Sequence, residues 1–103
     1  MLVLLKSTYP PRSAKKMIEV FSSPQTPPRS AAAKEVSTFT YGDKEGYHGL
    51  VVLDVEDGKL AEFFTAQTAR SVYMQSRVDG LQIEVIPGHS VMDVMPIVSK
   101  SLP

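Results

Sequence analysis

Few side chains in this sequence can do acid–base or ligand chemistry, and His48 and His89 are its only imidazoles. An imidazole gives or takes a proton near neutral pH, and a neighbouring Glu or Lys can tune it. His89 follows Pro87-Gly88, a loop signal, and reads as surface. His48 stands at the start of the apolar segment Tyr47 to Val55, two residues after the turn Gly42-Asp43-Lys44-Glu45-Gly46. If the N-terminal segment pairs antiparallel with that one, Lys6 and Thr8 come beside Tyr47 and His48. The hairpin adds Tyr41, and the start of a last strand adds Gln82 and Glu84. Lys6, Tyr41, Tyr47 and His48 are therefore the expected polar end of a binding site. The same groups also read simply as a wet rim where strands leave a sheet.

Other chemistries find less support. There is no cysteine, so no thiolate nucleophile, disulfide or cysteine metal site exists. The two histidines are far apart and no His or carboxylate is recognised at ligand spacing, so no metal is expected. No cofactor is expected either. The connection Tyr9-Pro10-Pro11-Arg12-Ser13 has no glycine to cradle a phosphate, and no serine lies in a nucleophile elbow. Gly46-Tyr47-His48-Gly49-Leu50-Val51 lacks the stacking aromatics of an RNA-binding sheet. Arg70, Tyr73 and Arg77 read either as a pocket mouth or, more simply, as a solvated helix face.

The elements that must position these residues follow from periodicity. Leu2 to Thr8 is a strand stopped by Tyr9-Pro10-Pro11. Ser13 is expected to cap a helix whose apolar stripe is Ala14, Met17, Ile18 and Phe21. Pro24, Pro27 and Pro28 end it and open an extended connection, since proline fixes φ and removes a donor. Residues 35–55 read as a hairpin with the five-residue turn named above. A helical segment from Lys59 to Arg77 follows, with Leu60, Phe63, Phe64, Val72 and Met74 inward and a break expected near Thr68 to Ser71. Leu81, Ile83 and Val85 alternate in a last strand. Val91, Val94, Met95, Val98 and Leu102 then recur at near-helical spacing, with Asp93 the expected cap that makes Pro96 tolerable.

This is one α+β domain over residues 1–103, in the ferredoxin-like order βαββαβ with an antiparallel four-stranded sheet and a C-terminal helix. Its first and third strands are apolar on both faces: Leu2 and Leu4 oppose Val3 and Leu5, and Leu50 and Val52 oppose Val51, Leu53 and Val55. Strands apolar on both faces are buried on both. Either the C-terminal helix covers the second face, or a second copy does, and a homodimer through the sheet face is expected.

The strand order, with Met92-Asp93-Val94-Met95-Pro96-Ile97 after Ile86-Pro87, resembles the small uncharacterised bacterial proteins of the dimeric α+β barrel group. The resemblance implies pairing sheet against sheet into a barrel. That group includes cofactor-free monooxygenases, haem-degrading enzymes and muconolactone isomerase-like proteins, whose oxygenase and haem-degrading sites combine Asn, Trp and His. This sequence contains neither Asn nor Trp, so no such site is carried over.

The formal net charge is zero, so neither nucleic acid nor an anionic membrane is expected as a partner. The charge is uneven: residues 1–34 carry six basic side chains against Glu19, and the remainder five basic against ten acidic. No stretch reaches membrane-spanning length and the apolar start stops at Lys6, so a cytoplasmic location is expected. The function expected is a homodimeric small-molecule-binding protein or small cofactor-free enzyme, with a partly apolar ligand between sheet and helices. The alternative is an interaction module whose apolar sheet face serves only pairing.

Overall fold

The sequence's alternation of branched apolar runs and helical stripes becomes four strands and three helices in the computed structural model, which describes residues 1–101. In chain order these are β1 (Leu2–Tyr9), α1 (Ala14–Ser22), β2 (Ala33–Asp43), β3 (Gly46–Val55), α2 (Leu60–Arg77), β4 (Gln82–Gly88) and α3 (Val91–Ser101). The sheet is antiparallel with order β2-β3-β1-β4, so the two strands that are apolar on both faces are the central pair. This is an α+β arrangement compatible with a ferredoxin-like fold. Leu102, assigned to the last helix from sequence, lies outside the described residues. Among the described residues no helix is long and apolar enough to cross a membrane.

Strand register divides the side chains between two faces, because alternate residues point to opposite sides. The inner face carries Val3, Leu5, Leu53 and Val55, which enclose Phe63 of α2 in a core cluster where Val3, Leu53 and Phe63 are fully buried. Each such side chain contributes roughly 1.5–3 kcal/mol. A second cluster, Val20, Met74, Val78 and Leu81, joins α1 to α2 and the start of β4. The outer face carries Leu2, Leu4, Leu50 and Val52 at its centre.

Several local expectations change. Ser13 takes the N-cap position of α1, but its hydroxyl donates to the Asp79 carbonyl instead of to the helix, and Arg12 pairs with the Asp79 carboxylate at 2.9 Å. The α1 stripe is divided: Ala14 and Met17 are half-buried, Ile18 (66% exposed) and Phe21 (55%) stay open, and Val20, outside the expected stripe, enters the core. The hairpin turn is tighter than five residues, with Lys44 and Glu45 alone between the strands. Gly46 there has φ +131°, and a side chain would collide with the Tyr9 carbonyl.

Helix α2 is continuous, because no Gly or Pro interrupts it and Gln67 donates to Ser71 one turn on. Its buried positions are Phe63, Gln67 and Met74; Phe64 and Val72, expected inward, are exposed. Ser90, not Asp93, opens α3 by accepting from the Met92 N–H, and Pro96 lies inside the helix. None of α3's residues is buried, so this helix does not cover the outer face of its own sheet.

Candidate functional site

The inner face changes character along its length. Register aligns Glu35, Leu53, Val3 and Pro87 in one cross-strand row, and Thr38, Val51, Leu5 and Val85 in the next. The following row is Thr40, Gly49, Ser7 and Ile83. Three of those four side chains are small, so α1 passes over a hollow instead of packing onto the sheet. The result is a cleft of about 300 Å³ whose walls include Tyr9, Met17, Ile18, Phe21, Thr38, Thr40, Gly49 and Val51. This volume is at the lower end for small-molecule sites. At Gly49 an added Cβ would lie 2.8 Å from the Ser7 hydroxyl, so the missing side chain is part of what keeps the floor open.

Beside the cleft, a smaller recess of about 70 Å³ runs under α2 to Gln67 and Arg70. The two share Ser7, Met17, Phe21, Arg29 and Val51. Arg29 has its Nη1 3.6 Å from a Glu35 carboxylate oxygen, and its Nε is buried without a hydrogen-bond partner. Arg70 donates to the Pro27 carbonyl at 2.9 Å and lies over the Phe21 ring at 5.4 Å. Burial, and secondarily the charge of Arg29, hold Arg70's pKa below its ordinary value. Gln67 is buried with its Oε1 unpartnered.

The residues proposed from sequence divide between the two faces. Lys6, Tyr41 and His48 belong to the outer face by register, and Tyr47 to the inner one, where it packs against Tyr9 with ring centroids 5.7 Å apart. Thr8, His48, Tyr41 and Gln82 do meet in one row, as the strand order requires. His48 is only 6% exposed. Its Nδ1 lies 3.2 Å from the Thr8 hydroxyl, its Nε2 lies 2.9 Å from Asp43 Oδ1, and its ring stacks on Tyr41 at 4.5 Å. With Nε2 protonated, both ring nitrogens are satisfied: Thr8 donates to Nδ1 and Nε2 donates to the carboxylate. His48 borders the cleft along β3, while its imidazole is committed on the other face.

The order hydroxyl, imidazole, carboxylate matches that of an activated nucleophile. Acyl transfer also needs free N–H groups aimed at a developing oxyanion. Thr8 lies within a central strand paired on both sides, where backbone donors are engaged in the ladders. The row therefore works as a polar network around one buried imidazole. His48's hydrogen bond, and then the Glu45 N–H, hold the Asp43 carboxyl below its ordinary value of 3.8.

Asp43, Glu45 and His48 do bring ligand-type atoms within 4.8 Å of one another, a grouping absent from the sequence reading. The tight turn creates it. Holding a metal there would require His48 Nε2 to give up its proton and its bond to Asp43. Arg29 and the hydroxyls of Ser7, Thr38 and Thr40 also escaped the sequence reading. The signal was present in the facing small residues Ser7 and Gly49, once register is known.

The chain matches no protein-family model, no curated protein and no solved structure.

Proposed function

We propose that the chain is a homodimeric, cytoplasmic protein that binds a small, partly apolar molecule in the cleft between α1 and the sheet. The observation that carries this reading is the row of small side chains under α1. A chain selected only for packing has no use for Ser7, Gly49 and Thr40 beneath a helix that offers Met17, Ile18 and Phe21. Apolar walls with a few convergent polar groups are the usual composition of a ligand pocket.

The pairing half rests on the outer face. Leu2, Leu4, Leu50 and Val52, each partly exposed, form its centre, flanked by the exposed Phe39 (60%) and Ile86, and no residue of α3 is buried against them. Apolar surface of this extent calls for a partner, and stacking two such sheets gives the barrel that the sequence resemblance implies. The outer face alone is also what an interaction module without a ligand would have.

Native mass spectrometry at low micromolar concentration separates these readings. Two chains carrying extra small-molecule mass, with that mass lost in a Gly49→Val dimer, is the expected result. A dimer that takes up no small molecule leaves the interaction module. A monomer overturns the pairing.

A further inference from the structure

We propose that the ligand of this cleft is an amphipathic monocarboxylate, its apolar body against Met17, Phe21 and Val51 and its carboxylate held by Arg29 and Arg70. This rests on the cleft reading above and specifies its ligand class.

The argument starts from two guanidinium groups at the junction of cleft and recess. Arg29 lines both cavities and Arg70 lines the recess. Buried N–H groups rarely lack an acceptor, yet Arg29 Nε has none. Its Nη1 is turned to Glu35, which leaves the Nε edge of the fork as the unpartnered one. A carboxylate engages that edge through two parallel hydrogen bonds, and since Nε is shielded from solvent the Arg29 side chain must turn to receive it. Arg70 has a carbonyl and an aromatic ring as partners, and among the described residues no carboxylate lies within 4.0 Å of it. Two neighbouring cations, both partly withdrawn from water, are a costly arrangement that an anion between them relieves.

Charge selects the class. Lys6 borders the recess along β1 but its side chain lies on the outer face by register, so Arg29 and Arg70 against Glu35 leave one unit of positive charge, which a monoanion neutralises and a phosphate dianion overshoots. The walls select the rest: Met17, Phe21 and Val51 suit an aromatic or aliphatic body that needs no hydrogen bonds.

The test is NMR titration of the ¹⁵N-labelled full chain with phenylacetate and hexanoate, each against its neutral amide. The acids are expected to shift the amide resonances of Thr38, Thr40 and Gly49. Their Kd should lie at least about tenfold below that of the amides, the worth of one charge-assisted hydrogen bond. Arg29→Gln and Arg70→Gln should each weaken the acid more than its amide and so narrow the gap between the two. Arg70→Lys keeps the charge and should retain part of the preference, which separates loss of the anchor from loss of fold. Equal binding of acid and amide would overturn the carboxylate anchor and leave the cleft standing. Inorganic phosphate competing as well as phenylacetate would overturn the amphipathic ligand. No shift at these resonances with any of the four probes would remove the cleft reading and this proposal together.

Discussion

Replacing His48 by alanine separates what holds this sheet together from what the cleft binds. The substitution deletes a neutral hydrogen bond with Thr8, a stacking contact with Tyr41 and the bond to Asp43. The first contributes about 1 kcal/mol and the second about 0.5–1.5 kcal/mol. Asp43 is left out of the sum because its carboxylate is open to water. The expected loss is therefore about 2 kcal/mol, or a fall in Tm of roughly 8–16 °C for a domain of this size. Urea unfolding followed by circular dichroism should show the midpoint falling with an unchanged slope. Binding in the cleft should be unaffected, since the imidazole faces the other side of the sheet. A loss under about 0.5 kcal/mol would refute the network, because a buried imidazole satisfied at both nitrogens cannot be that cheap to remove. A stable variant that no longer binds would instead refute the assignment of the ring to the outer face.

Asp43 carries the pH dependence. Its native carboxyl lies below 3.8, so the stabilisation is full above that value and is lost as pH falls through the depressed native pKa. The stability difference between wild type and Asp43→Asn, measured by urea titration, should favour wild type at neutral pH and vanish in strong acid. Gln67→Met removes a buried acceptor that has no partner together with the bond to Ser71, and the net effect should be stabilising by up to about 1 kcal/mol, read from the urea midpoint. Leu50→Glu puts a charge at the centre of the outer face, and sedimentation velocity should show a dimer becoming a monomer with its circular dichroism spectrum retained.

The strand order was legible because the two strands apolar on both faces had to be the central ones. Lys6, Thr8, Tyr41 and His48 were brought to one end of the sheet by the same reasoning, and register supports it. Parity was not legible. Two adjacent residues, Tyr47 and His48, lie on opposite faces, and only the pairing of Val3 and Leu5 with the helices decides which face is which. The division of the α1 stripe was equally hidden, because Ile18 and Phe21 are core-like by type and spacing. They stay open since the residues opposite them, Ser7 and Gly49, are small, a fact of tertiary register. The break expected in α2 came from polar composition, yet the Gln67 side-chain N–H donates to Ser71 across one turn. Arg29 lay in a segment whose prolines hid its destination.

The irregularities at the two margins of the sheet limit how the molecule can grow. The register of β2 slips between Glu35 and Ser37, leaving Val36 as an extra residue in the ladder. On the opposite margin β4 carries Pro87, which has no N–H to offer. A slipped ladder and a missing donor both disfavour the addition of a further strand side by side. Lengthening into a continuous ribbon is thereby discouraged, and contact through the broad face remains. Face contact is self-limiting: once two copies have met, neither has a second such surface to offer. A chain with this much uncovered aliphatic surface thus carries, in one bulge and one proline, its protection against open-ended assembly.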